Sequence, residues 1–482
     1  MSDTTANTIA SEQNVKPAIA AAPGTVIGNA TFVAGGLGAV PGIRCAGVSA
    51  GFRRNPQRKD LALVVAEKPA VAAGVFTNNS FCAAPVQLSR QHLAKCACAD
   101  VDALKAANQG AGKGEGAGAG AGSGAAAGTG AASGACVVIL NSGNANANTG
   151  EPGLQTAIRT AKLVAEHLGC QPHQVLTAST GVIGVPLAID SFVTGVPLAL
   201  AELGPADASP AAQAAGLAAA QAIMTTDTLP KQAAVQFSAS QSDGVEVTYT
   251  IAGMVKGSGM IQPNMATLLG VLATDAWLTQ EAADEALRQA IAVTLNKVTV
   301  DSDTSTNDSV YLLATGATEG KTINPNCPLF APFAQALTTL LEDLARQIAW
   351  DGEGASKLVT VEVCGAQSAE DADKAARSIA NSPLVKTAIA GHDANWGRIA
   401  MALGKSGAVF QQEDVDIDLM GLAVCRRGLP VPFDEQEALQ LFDELHEILI
   451  QANLGTGGNG QARIWTCDLT HDYITINGDY RT

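Results

Sequence analysis

The residues with the most pointed chemistry lie in one stretch, Lys256-Gly257-Ser258-Gly259-Met260-Ile261-Gln262-Pro263-Asn264-Met265-Ala266-Thr267. Glycines and a proline bend the chain ahead of a threonine, and the apolar run Leu268 to Leu272 follows. A hydroxyl on a bent backbone is placed to attack the carbonyl before it. Breaking the Ala266–Thr267 bond would leave Thr267 as an N-terminus, with nucleophile and base on one residue. An α-amino group titrates near about 7.7–8.0, against about 10.4 for lysine, so at neutral pH a usable fraction is unprotonated. That amine is the base a threonine hydroxyl needs. A glycine-rich loop entering a buried strand explains the same stretch without chemistry, so the rest of the chain must decide.

Other segments carry weaker signals. Ser179-Thr180-Gly181-Val182-Ile183-Gly184 follows a short apolar run, and a strand entering Ser-Thr-Gly can present a backbone N–H and a hydroxyl together. A plain turn between strand and helix is the alternative. Thr225-Thr226-Asp227-Thr228-Leu229-Pro230-Lys231 is a polar cluster closed by proline. Residues 298–309 are dense in carboxylates and hydroxyls but lack the glycine and closing glutamate of a calcium loop, so a hydrogen-bonded turn is expected and no metal. Asn395-Trp396-Gly397-Arg398 follows an expected strand; Arg398 could hold a carboxylate or tie a turn, and the structural role is the expected one. Ten cysteines are scattered without paired CxxC motifs, and Cys96-x-Cys98 is expected to be inert; they read as reduced, small apolar residues.

The elements that must position these groups come from a chain of 482 residues, 47% hydrophobic, 15% charged and only 4% aromatic. A large core is available, packed mainly from Ala, Val, Leu and Gly. The formal net charge of −16 excludes a global basic footprint for nucleic acid and disfavours an anionic membrane surface. An anionic substrate would need a local cation, such as Lys256. The start, Met1-Ser2-Asp3-Thr4-Thr5, lacks the basic flank and apolar core of a signal peptide, and no apolar run reaches a membrane span, so a cytoplasmic protein is expected. Residues 1–25 read as a flexible tail, and 108–135 as a Gly/Ala-rich surface insertion without apolar periodicity.

Strands are expected at 60–66, 71–77, 136–140, 175–178, 245–251, 268–273, 357–364, 385–390, 464–469 and 473–476. Helices are expected at 152–168, 211–224, 278–295, 330–349, 369–380 and 435–453. Their alternation argues for an α/β protein.

At 256–267 the pattern Lys-Gly-Ser-Gly-Met-Ile-x-Pro-Asn-Met-Ala-Thr resembles the self-cleavage motif of the ornithine acetyltransferase family, the ArgJ family of arginine biosynthesis. Asn141 to Ala147, Ser179-Thr180-Gly181, Met224 to Thr228, Asp303 to Asp308, and Asp393 to Arg398 resemble further family blocks in the same order. The likeness spans about residues 26–482, departing only at the tail and the insertion. It implies an αββα sandwich, two stacked sheets with outer helices. It implies self-cleavage into a chain 1–266 and a chain 267–482, assembled as a heterotetramer with two copies of each.

The implied reaction moves acetyl from N2-acetyl-L-ornithine to Thr267 and then to L-glutamate, giving N-acetyl-L-glutamate. Acetyl-CoA is implied as a second donor in many members; no cofactor is needed. Thr180 and Gly181 would form the oxyanion hole, and Thr225, Lys256, Thr267, Glu353, Asn477 and Thr482 would bind substrate. Lys256 is expected to pair with the α-carboxylate, with Glu353 and the Thr482 carboxylate facing the ornithine ammonium. The side-chain carboxylate of glutamate would then fall to Asn477 and nearby hydroxyls. A self-processed aminopeptidase or amidase of related fold is the alternative.

Overall fold

The computed structural model describes residues 16, 19–97, 101–110, 134–240, 244–262 and 268–479. One long strand, Leu61–Phe76, organises the larger part of it. The sequence reads this segment as two strands; it is one, almost wholly Ala, Val and Leu, and buried at both ends. Such near-continuous apolar runs suit strands covered on both faces. In the middle, Glu67 and Lys68 are exposed, Pro69 follows without an amide proton, and the pairing register shifts between Val65 and Ala70.

The two halves of this strand therefore serve different partners. Its first half pairs antiparallel with Ile43–Val48 and Ala135–Asn144, and the latter pairs in parallel with Val175–Val182. Its second half pairs with Ser309–Ala314, and the sheet continues through Leu269–Thr274, Glu246–Lys256, Lys231–Ser240, Ala30–Val33 and Val26–Ile27. The ten strands fold over so that the halves face one another. Val138, Leu140, Leu176 and Ala178 from one half pack in a single core with Ala252, Met254, Val271, Ala273 and Leu313 from the other. The Tyr311 hydroxyl crosses between them to donate to the Thr177 carbonyl at 2.9 Å. Gln280–Val293 and Phe330–Trp350 cover one outer face; Gly150–Leu168 and Asp190–Ala201 cover the other. The layers run helix, sheet, sheet, helix.

A second, six-stranded mixed sheet was not foreseen. Its order is Leu429–Pro430, Leu422–Arg426, Asp416–Leu419, Glu447–Asn453, Leu358–Ala366 and Gly460–Cys467. It has its own core, shared with Ala369–Ala380, Pro383–Ala390, Trp396–Gly404 and Glu435–Glu444. The molecule is thus two mixed sheets flanked by helices. No helix among the described residues is long and apolar enough to cross a membrane.

Several expectations need correction. The strand expected at 385–390 is the helix Pro383–Ala390, capped by the Ser382 hydroxyl with proline at its first position. The helix expected at 435–453 ends at Glu444, and Glu447–Asn453 is a strand whose residues alternate between buried and half-exposed. The strand expected at 473–476 lies inside the helix His471–Asp479. Residues 19–25 are not a loose tail: the Ala21 amide donates to Asp343 Oδ1 at 2.8 Å and the Gly24 amide to the Phe32 carbonyl. At the insertion, Val101–Gly110 is helical and Ala135 already belongs to a strand; 111–133 lie outside the described residues. Arg398 ties a turn as expected, donating to the Leu384 carbonyl at 2.8 Å.

Candidate active site

The stretch singled out first connects two neighbouring antiparallel strands. Glu246–Lys256 ends at Lys256, and Leu269–Thr274 begins just after Leu268. Gly257 to Gln262 are held closely. The Gly257 amide donates to Asp227 Oδ1 at 2.7 Å, and the Ser258 and Thr226 hydroxyls meet at 2.7 Å. The Ser258 carbonyl accepts from the Glu353 amide at 2.9 Å. The Met260 and Ile261 amides donate to the two carboxylate oxygens of Asp301 at 2.6 and 2.8 Å. Met260 takes a left-handed φ of +54°, uncommon for a side chain of its size. A Cβ on Gly259 would collide with the Glu353 carboxyl, so only glycine allows this approach. Residues 263–267, with the expected cleavage pair Ala266 and Thr267, lie outside the described residues, as does Thr482.

Thr180 and Gly181 sit near the end of Val175–Val182. Gly181 has φ +128° and packs so tightly on the Gly143 backbone that a Cβ would overlap it. The turn is fixed from outside. Asn307 Nδ2 donates to the Ser179 carbonyl at 2.8 Å and to the Ala145 carbonyl at 2.5 Å. The Ser179 hydroxyl donates to Asn141 Oδ1 at 2.6 Å, and Asn141 Nδ2 to the Asn144 carbonyl at 3.0 Å. The asparagine-rich run thus acts as a brace behind Thr180–Gly181.

These groups line one cleft of about 200 Å³. Thr180, Gly181, Thr225, Lys256, Glu353 and Asn477 all reach it, from segments far apart in the chain. Leu268, the residue joined to Thr267, is also on its wall. The Thr225 amide donates to Asp227 Oδ2 at 2.8 Å. Glu353 Oε2 accepts from Asn477 Nδ2 at 2.7 Å, and the Tyr473 hydroxyl lies 3.3 Å from Asp301 Oδ2. Tyr473 and Asn477 stand four apart on His471–Asp479, so one helical face closes this side.

The electrostatics are uneven. Lys256 is 8% exposed, and its ammonium has no hydrogen bond or ion pair among the described residues. Burial lowers its pKa, against the pull of Asp227, Asp308 and Glu353. Asp308 is 1% exposed, and its Oδ2 accepts no hydrogen bond. Burial pushes this carboxyl well above the usual carboxylate range, against the Ser305 hydroxyl and Lys256. Among the described residues no group of three or more His, Cys, Asp or Glu is arranged to hold a metal ion.

Such a cleft can take a carboxylate at Lys256 and a cation at Glu353. Asp301, Asp308 and Tyr473 were given no role from sequence. The dense run of carboxylates at 298–309 was the available signal for the two aspartates; Tyr473 offered none.

Comparison with known proteins gives a consistent outcome. The model of the ArgJ family matches residues 44–482. The arginine biosynthesis bifunctional protein ArgJ of Symbiobacterium thermophilum is 44% identical over 452 residues, covering 94% of this chain and 100% of that protein. A protein of Clostridium acetobutylicum, arginine biosynthesis bifunctional protein ArgJ 1, is 39% identical, covering 92% of this chain and 97% of that one. Among solved structures, the ArgJ protein of Bacillus halodurans is 45% identical and covers 43% of this chain and 96% of that one, with a TM-score of 0.42.

Proposed function

The chain belongs to the ArgJ family and is an acetyltransferase of arginine biosynthesis, and we propose that it carries acetyl on Thr267 from N2-acetyl-L-ornithine to L-glutamate. The observation that carries this reading is the convergence of Thr180, Gly181, Thr225, Lys256, Glu353 and Asn477 on one cleft, with Leu268 on its wall. Covalent connection to Leu268 keeps Thr267 within one residue of that wall.

Maturation comes first. The Thr267 hydroxyl attacks the Ala266 carbonyl, the C–N bond breaks to leave an ester and a free Thr267 amine, and water hydrolyses the ester, restoring the hydroxyl and leaving an Ala266 carboxylate. In turnover that amine takes the hydroxyl proton, and Oγ attacks the acetyl carbonyl. The Thr180–Gly181 turn stabilises the oxyanion; removing one such donor typically costs about 10²–10³ in rate. Ornithine leaves, glutamate enters the same cleft, and its amine attacks the acetyl ester. Lys256 holds the α-carboxylate common to both amino acids. Glu353, with the Thr482 carboxylate, faces the ornithine ammonium; Asn477 and hydroxyls serve the glutamate side chain. Acetyl-CoA is the second acetyl donor to Thr267, and the matured unit is a heterotetramer of two 1–266 and two 267–482 chains in the cytoplasm.

The test is Thr267→Ala beside the unaltered chain. The unaltered chain should give two bands on a denaturing gel and transfer acetyl from acetylornithine, and more slowly from acetyl-CoA, to glutamate. The variant should run as a single band with no transfer from either donor. Transfer surviving in Thr267→Ala would refute the acetyl-threonine route.

A further inference from the structure

Two ionisable side chains of the cleft enter no ion pair among the described residues, and the Asp308 carboxyl meets the Ser305 and Thr77 hydroxyls while leaving Oδ2 without a partner. The Lys256 ammonium has no hydrogen bond or ion pair among the described residues, and Asp308 Oδ2 accepts none. Each biases the ionisation of the other, yet they form no ion pair. A buried polar atom left unsatisfied costs about 1–3 kcal/mol, so folding alone gives no reason to keep them. An ammonium without a counter-ion and a carboxyl with one free oxygen on one cleft are complementary to an α-amino acid, which carries its carboxylate and its nitrogen on one carbon.

The placement of Asp308 narrows this. Its neighbour Asn307 holds the Thr180–Gly181 turn through the Ser179 and Ala145 carbonyls. Its other neighbour, Ser309, donates its amide to the Leu268 carbonyl at 2.9 Å. The Asp308 carbonyl is fixed by the Thr77 amide at 3.0 Å. Asp308 thus stands between the brace of the oxyanion turn and the residue that follows Thr267. The charged groups sharing the cleft are Lys256, Glu353, Asp301 and Asp303.

Resting on the acetyl-transfer reading, we propose that Asp308 carries the proton of the substrate's α-nitrogen in both half-reactions, while Lys256 holds the carboxylate beside it. In the first half-reaction the C–N bond of the tetrahedral intermediate breaks, and the leaving nitrogen takes the proton of the Asp308 carboxyl. The proton from the Thr267 hydroxyl, held on the Thr267 amine, passes to the same nitrogen, and ornithine departs as an ammonium. In the second, the glutamate ammonium gives one proton to the Asp308 carboxylate, and its lone pair attacks the acetyl ester. The nitrogen loses its next proton to the Thr267 amine; the C–O bond breaks and Oγ takes that proton. Asp308 ends protonated and Thr267 ends with hydroxyl and neutral amine, as both began. Burial suits Asp308 to the task, because a carboxyl raised well above the usual carboxylate range is a better base than an ordinary carboxylate.

The test loads the cleaved enzyme with acetyl from p-nitrophenyl acetate, whose leaving group departs as an anion and needs no proton. Loss of the acetyl mark is then followed by mass, with glutamate or with hydroxylamine, which is uncharged at neutral pH. In Asp308→Asn the loss to glutamate should slow by ~10²–10⁴-fold, the usual worth of a positioned acid–base group. The loss to hydroxylamine should be unchanged, and Asp308→Glu should recover part of the glutamate rate. Equal slowing with both acceptors, no slowing with glutamate, or an Asp308→Asn chain that stays uncleaved would each overturn the proposal. An unaltered enzyme that takes up no acetyl would instead overturn the acetyl-threonine reading, whatever Asp308 does.

Discussion

Two buried lysines lie side by side in this molecule and are treated in opposite ways. The hairpin of Lys231–Ser240 and Glu246–Lys256 puts Lys231 opposite Val255, next to Lys256. Lys231 is enclosed by its own counter-charges, with Nζ 2.7 Å from Asp227 and 2.5 Å from Asp351. Asp351 also accepts from the Thr228 amide and hydroxyl. Burial alone would lower Lys231 and raise Asp227. The mutual attraction wins in both, so Lys231 is raised and Asp227 held below the usual carboxylate range. Lys256, one register position away, has no such partner, and there burial wins. A charge that serves the fold is supplied with both signs by the chain. A charge that serves a ligand is left for the ligand to complete. Asp227 links the two, since it also holds the Gly257 amide.

The contrast can be broken most forcefully at Lys231. Lys231→Met strands two buried carboxylates and should cost about 3–5 kcal/mol of stability in chemical denaturation. Lys256→Met should not lower the melting temperature, because it removes an unpaired buried ammonium. It should instead weaken acetylornithine binding by about 2–5 kcal/mol, read by calorimetry in the Thr267→Ala background. If Lys256→Met unfolded as readily as Lys231→Met, the two sites would be alike and the contrast false.

pH sharpens it further. If Lys256 holds the substrate carboxylate as proposed, affinity should fall with rising pH through its lowered pKa, sooner than the value of about 10.4 for an ordinary lysine. Asp227 acts at the other limb. Its folded pKa is depressed, so its stabilisation is complete above the unfolded value of about 3.9 and is lost as pH falls through the folded one. Asp227→Asn should therefore show a flatter loss of stability in acid, measured by denaturation at a series of pH values. The smallest effect is expected at the rim. Asn477→Ala removes one hydrogen bond to Glu353 at a half-exposed position and should weaken acetylornithine by roughly 1 kcal/mol, with no change in melting temperature.

Much of the layered part was legible because its signals are local. The helix Gly150–Leu168 ends at Gly169 with φ +67°, as a glycine just past the last apolar turn implies. Ser368 caps Ala369–Ala380 through the Asp371 amide, again as the pattern indicates. The misreadings have physical reasons. Tyr473-Ile474-Thr475-Ile476 are good strand formers, but Tyr473 and Asn477 find Asp301 and Glu353 only when helical spacing puts them on one face. At 445–447 no glycine or proline marks the passage from helix to strand, and only the alternation of Ile448, Ile450 and Ala452 shows it. In the cleft, Thr180, Gly181, Thr225, Lys256, Glu353 and Asn477 were named from the family resemblance, and the fold brings them together. The burial of the Asp308 carboxyl in the cleft was not legible, because it follows from how Thr77 and Lys256 come to lie around it, and those positions are distant in sequence.

The central sheet would also set the order of events under the proposed self-cleavage. Glu246–Lys256 and Leu269–Thr274 are hydrogen-bonded neighbours on either side of the connection that carries Ala266 and Thr267. Leu61–Phe76 is paired with Ser309–Ala314 in the same way. Scission between 266 and 267 would sever no rung of either ladder, so the two pieces would stay interleaved. The first folding, however, is a tethered, first-order process, whereas the return from denaturant after scission would require two strangers to meet. Recovery of the cut protein should therefore depend on concentration, while that of Thr267→Ala should not: the cut would act as a ratchet, cheap to live with and hard to undo.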